Sequence, residues 1–327
     1  MVFDTFNGSY VRLSEATPQV IEKLRDAIRP IYEPRYEGPE GGDWLRPEDL
    51  VVGYVGKDRA YAYPVKVLNF HEIVNDVIDG EKVLITYCPL CGSGVVFDRR
   101  LDGRELVFGN TSALFENDMV MYDHQTGSYW FQVGGRAIVG TLTGRQLKLL
   151  PSVTMPWGQW RKLHPRSRVL SGYRGYSYDR DPFALYSRLI DNLKFPFPVS
   201  KDKLDSRLRP SAVVLSVRVA GKEKAYPLER LGDSVVNDTL ESEPVVVFNR
   251  AQGPTGSAFS RRIEGRILTF VLRNNQIRDQ QTGSQWDLSG RAVKGPLKGR
   301  KLEPLPTRRA FWFSLSLAMP DIPLFSP

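Results

Sequence analysis

The chain repeats itself, and that repeat restricts what it can fold into more than any other feature. Val74-Asn75-Asp76 returns 162 positions later as Val236-Asn237-Asp238, and the same spacing pairs Gly94 with Gly256, Phe97 with Phe259, Arg99 with Arg261, Gly103 with Gly265 and Phe108 with Phe270. Residues 57–64 (KDRAYAYP) likewise resemble 222–227 (KEKAYP). After Asn110 the first copy carries TSALFENDMVM where the second has only NNQIR, and the spacing falls to 156: Asp123, Thr126-Gly127-Ser128 and Trp130 meet Asp279, Thr282-Gly283-Ser284 and Trp286. At 155, Gly135-Arg136-Ala137 meets Gly290-Arg291-Ala292, and the register continues through Trp157 and Trp312 to Pro165 and Pro320. Ordered self-similarity of this kind is the mark of a duplicated structural unit, and 327 residues suffice for two units of ordinary size.

Within a unit the elements read as short strands. Residues 83–87 are apolar and β-branched, and Asp102-Gly103 is a hairpin turn signal between 94–97 and 104–108. Stretches 119–122, 129–133 and 137–139 repeat the theme, and 65–75 is the one credible helix or irregular turn inside the unit. The expectation is a mainly β protein of duplicated small barrel-like or sandwich-like units packed as a pseudo-two-fold pair, with a few short helices. Its divisions are an N-terminal helix and wrapping segment (1–50), a first repeat (51–172), a linker with a short helix at 182–193 (173–210) and a second repeat (211–327). Thr17-Pro18, with Val20, Leu24 and Ile28 behind it, reads as a helix ending near Pro30. Each unit alone would expose unpaired strand edges, so a large contact between the two is expected.

Charge excludes little. Lys and Arg exceed Asp and Glu by eight, but the positive residues are scattered as pairs such as Arg99-Arg100, Arg261-Arg262 and Arg308-Arg309. A nucleic-acid-binding face concentrates them on one element, so the expected partner is a small molecule or a protein, with the chain a monomer or homodimer. No run of about 18 apolar residues marks a membrane span, and Met1-Val2-Phe3-Asp4 does not open an export signal. As written the chain reads as cytoplasmic, and as exported if a leader has been removed.

The residues able to ligate a soft metal are few and one-sided. All two cysteines and three histidines, His71, Cys88, Cys91, His124 and His164, fall in the first copy; the second has Asp233, Arg250, Gly253, Gln280 and Met319 at the matching positions. Two thiolates spaced as Cys88-Pro89-Leu90-Cys91 can reach one tetrahedral ion, and Gly92 lets the backbone turn tightly after them. With no second cysteine pair, the remaining ligands must be imidazoles brought from elsewhere: His71, flanked by Glu72, with His124 or His164. Ligand softness admits copper or zinc. The 111–121 insert, present in one copy only, suggests a lid over a pocket. Two readings compete with a metal-binding protein or metalloenzyme: a non-catalytic binding or accessory module whose cysteines are structural, and a dithiol oxidoreductase.

Several stretches, GDWLRPEDLVVGY, HEIVND (71–76), YCPLCGSGVVFDR (87–99), VMYDHQTGSYW (120–130), GRAIVG (135–140) and the GRAVKGPL motif of 290–297, together resemble an uncharacterised family of bacterial and archaeal proteins, classified as a domain of unknown function. The resemblance covers nearly everything after about residue 40 and implies no established reaction. Members of that family often carry a leader peptide, and they frequently have Arg or Lys where this chain has His124. That moves the expected ligand set toward His71, Cys88, Cys91 and His164.

Overall fold

The computed structural model describes residues 2–4, 9–11, 17–172, 182–251, 253 and 255–326. Residues 173–181, the opening of the expected linker, lie outside the described part. The protein is mainly β, with six α-helices among the described residues, none of them long and apolar enough to cross a membrane.

The largest sheet contains strands from both halves. Its order is Lys222–Pro227, Val213–Val219, Thr307–Phe311, Ser93–Asp98, Glu81–Cys88 and Ile73–Ile78, with Lys148–Leu149 added beside Ser93–Asp98. The junction is the antiparallel pairing of Arg309 with Gly94. Strand Glu81–Cys88 is covered on both faces: Val83, Ile85 and Tyr87 enter one apolar core, while Leu84 and Cys88 enter another that also takes Val213, Leu215, Val245 and Phe311 from the second half. Burial on both sides is why this strand reads as an unbroken apolar run rather than an alternating one.

A second sheet runs Val153–Pro156, Leu50–Val55, Ala60–Pro64, Arg168–Leu170 and Tyr36–Glu37. It lies against the first closely enough that a Cβ on Gly94 would come within 2.7 Å of Val52, and against helix Trp157–Leu163 closely enough that one on Gly53 would come within 2.0 Å of the Trp160 ring. A third runs Arg136–Val139, Tyr129–Phe131, Asp118–Asp123 and Phe108–Phe115, extended by Val2–Asp4 and Ser9–Val11. In the second half, Ser234–Leu240, Glu243–Arg250 and Thr255–Ser260 form a three-stranded sheet, and Phe270–Arg273, Gln276–Asp279, Gln285–Trp286 and Ala292–Lys294 a four-stranded one.

None of these sheets closes into a barrel, which corrects the barrel-like expectation. Filled barrels take about eight strands in one continuous ladder, whereas here the strands are shared out among several shorter open sheets.

Helix Pro18–Leu24 starts as expected, with the Thr17 hydroxyl accepting from the Val20 N–H at 3.3 Å, but it stops at Arg25, short of Pro30. Helix Val65–His71 ends where Glu72 adopts a φ of +56°, and 73–75 already belong to strand Ile73–Ile78. The linker helix is Phe183–Asp191.

Certain side-chain bonds appear in both halves. Asn75 closes a pair of 2.8 Å bonds with the backbone of Phe108, as Asn237 does with Phe270. Asp123 accepts from the Thr126 N–H at 2.6 Å and from Trp130 Nε1 at 2.9 Å, and Asp279 accepts from Thr282 and Trp286 at the same two distances.

Candidate metal centre

Cys88 is the last residue of its strand and Cys91 closes the turn that follows, its N–H donating to the Cys88 carbonyl at 3.2 Å. Gly92 then takes a φ of +55°, conformational space a side chain adopts only with strain, and the next strand begins opposite Cys88. A Cβ at Gly92 would also meet the Phe183 and Phe311 rings at 2.9 and 3.2 Å. The turn is docked on the second half: Phe311 N–H donates to the Cys91 carbonyl at 2.8 Å, and Arg309 Nη1 to the Gly92 carbonyl at 3.2 Å. Both cysteines are free thiols and buried.

The third member of the group is Asp118. Cys88, Cys91 and Asp118 offer ligand atoms that all lie within 4.8 Å of one another, and all three residues are buried. Asp118 comes from the 111–121 insert, which is not a lid loop. It lies in a β-hairpin, strand Phe108–Phe115 turning at Glu116-Asn117 into Asp118–Asp123, with both turn residues at positive φ as a tight hairpin requires. The matching second-half hairpin, Phe270–Arg273 with Gln276–Asp279, is six residues shorter. Three added residues per strand carry the tip about 10 Å further, as far as the cysteine turn, where the Asn117 carbonyl accepts from Cys91 Sγ at 3.3 Å. The tip is fixed from outside, since Glu116 accepts from the Ser200 N–H and hydroxyl and Asn117 Oδ1 from the Phe197 N–H.

Charge is costly in this group. Desolvation pushes the Cys88 thiol up to about 11 and holds Cys91 well above the ordinary thiol range. Burial raises Asp118 to about 6, although it accepts 2.9 Å bonds from the Val133 and Met119 N–H groups. Glu72, carried by the strained residue at the end of helix Val65–His71, is raised to about 8 by desolvation, an effect eased by the Asn110 amide at 2.6 Å and worsened by repulsion from Asp118. Cys88, Cys91 and Asp118 thus converge where each alone disfavours its charged form, and Glu72 lies near enough to feel Asp118. A bound cation would reverse that preference.

The histidines stand elsewhere. Among the described residues no imidazole joins the Cys88, Cys91 and Asp118 group. His71 is buried with Nδ1 2.8 Å from the Arg29 carbonyl, so helix Val65–His71 turns it toward the N-terminal segment. His164 packs its ring 4.2 Å from that of Trp160. His124 stacks on Tyr122 and lies 3.1 Å from the Tyr32 hydroxyl. The group thus contains the two cysteines of the expected ligand set and neither of its histidines, together with Asp118, which the sequence reading does not include. The signal available in the sequence is the 111–121 stretch, longer than the segment it aligns with in the second half and carrying Glu116 and Asp118 about its middle.

The family model described as "Protein of unknown function (DUF3179)" matches residues 25–321. No curated protein and no solved structure matches the chain.

Proposed function

The chain belongs to that family of unknown function, and from its site alone we propose that it binds one thiophilic metal ion through Cys88, Cys91 and Asp118. The observation that carries this reading is the buried convergence of two thiols and a carboxyl within 4.8 Å. Of the two metals the thiols admit, the carboxylate favours zinc, because an oxygen donor suits zinc better than Cu(I). Three protein ligands leave a tetrahedral ion one open position, the pattern of catalytic zinc sites rather than closed structural ones. Glu72 is the nearby group able to take a proton from, or replace, a water there. The second half serves as a scaffold in this reading. It is a copy of the same unit that kept its hairpin and turn bonds and lost its ligands, with Arg250 and Gly253 standing for the two cysteines.

The dithiol oxidoreductase reading fares worse. Such an enzyme needs a reachable thiol of depressed pKa, and both thiols here are buried and raised. The accessory-module reading, with cysteines that only pin the turn, makes a different prediction about metal content.

The test is metal per chain after purification and after reconstitution with Zn2+ and, anaerobically, with Cu+. We expect one equivalent of zinc in the parent, near none in a Cys88→Ser/Cys91→Ser double variant, and weakened retention in Asp118→Asn. A parent that holds no stoichiometric metal under either condition refutes the proposal and leaves the cysteines as packing residues. Copper retained in place of zinc, independent of Asp118, would refute the carboxylate's role.

A further inference from the structure

Away from the cysteine pair, a cleft of about 930 Å3 opens where the two halves meet. One wall comes from residues between 38 and 60 and between 151 and 168, the other from residues between 257 and 305. Its lining divides by chemistry. Val153, Leu163, Leu288 and Leu305, each partly exposed, supply apolar surface, while Arg59, Arg166, Arg168, Arg291 and Lys301 supply positive charge against a single lining carboxylate, Asp58. None of these five cations forms an ion pair among the described residues; Lys57, also in the lining, is already 3.5 Å from Glu81. Arg291 and Lys301 face each other across a β-bridge. Asp287, Lys301 and Arg291 all act electrostatically on His164 of the opposite wall, the carboxylate against the two cations, so the charges of the two halves lie close together.

The volume falls in the range typical of small-molecule sites, which are apolar concavities with a few convergent polar groups.

We propose that this cleft binds a small organic anion with a phosphate or carboxylate head and an apolar body. Arg166 and Arg168 from one half, with Arg291 and Lys301 from the other, hold the head; the partly exposed Leu163, Leu288 and Leu305 receive the body. The ligand would bridge the halves, and its binding does not depend on the metal reading. A nucleic acid fits less well, because the charges surround an apolar hollow instead of forming a continuous stripe.

The experiment is calorimetric titration of the full chain with phenyl phosphate, phenylacetate and inorganic phosphate, which separates the two head groups and isolates the contribution of the ring. We expect one of the two aryl anions to bind saturably, once per chain, and more tightly than inorganic phosphate. An Arg166→Glu/Lys301→Glu double variant, altered only at exposed positions, should bind it roughly tenfold or more weakly. Lys298→Glu, exposed and outside the cleft, should not change it. Absence of saturable binding by all three anions overturns the proposal. So does an affinity indifferent to the double variant, inorganic phosphate matching the aryl anions, or a short single-stranded oligonucleotide binding in their place.

Discussion

Asp118 and Asp123 stand in one strand and serve different ends. Asp123 ties a turn together through Thr126 and Trp130, and Asp279 does so in the second half at matching distances. Replacing either by alanine leaves a buried indole N–H and a backbone N–H unpaired, at about 1–3 kcal/mol for each orphaned donor. Asp123→Ala and Asp279→Ala should therefore lower the urea midpoint by similar amounts, and a large difference between them would show that the two turns carry unequal loads. Asp118 has no such twin, and for that reason a search for recurring residues passes over it. His164 is the residue whose titration stability should report. Burial, with Lys301 and Arg291 adding to it and Asp287 opposing, lowers its pKa from the ordinary 6.5 to about 4. A depressed imidazole pKa means the unfolded chain takes up the proton first, so the stability tied to neutral His164 is intact above about pH 6.5 and is lost as pH falls toward 4. His164→Met, which installs the residue found at the matching position of the second half, should lose less Tm between pH 7 and pH 4.5 than the parent; an equal loss would place the acid sensitivity elsewhere.

At the scale of elements, what the sequence revealed was local. Asp102-Gly103 marks a real hairpin, Arg100–Leu101 with Arg104–Glu105, and the four-residue leucine spacing of 185–193 marks a real helix, Phe183–Asp191. The drop in spacing from 162 to 156 located the insert but not its form. Polar residues and a turn at its middle are compatible with loop or hairpin, and only the register of Leu114 with Met119 and Phe115 with Asp118 decides for the hairpin. Close approach between elements was equally hidden. Gly53 sits in strand Leu50–Val55 with no unusual φ, yet the Trp160 ring of helix Trp157–Leu163 occupies the space its side chain would need. Gly53→Ala should overpack that contact at a cost of about 1–3 kcal/mol, read as a lower Tm together with an altered near-ultraviolet signal from Trp160. An unchanged Tm would mean the helix moves freely on the sheet.

At the scale of the molecule, the least legible feature was the sheet common to both halves. Arg309 and Gly94 pair across more than 200 residues of sequence, and no periodicity within either segment announces such a partner. A large contact between the halves was expected from the edge argument; that one sheet runs through both, joined at the Arg309–Gly94 pair, was not. The consequence is a single cooperative unit. Residues 17–172 expressed alone should fail to give a monomeric folded species by circular dichroism and size-exclusion chromatography, and co-expression with 182–326 should rescue them. A stable, soluble first half on its own would contradict this.

The ladder through Thr307–Phe311 and Ser93–Asp98 also bears on how such a chain can change. In an assembly of two identical subunits every substitution appears twice, so a cluster of side chains can be neither added to one side nor removed from the other. With both sides on one polypeptide, a mutation lands once. One half can then carry the thiols, the longer hairpin and Asp118 by itself, while the other remains the neighbour that completes the sheet.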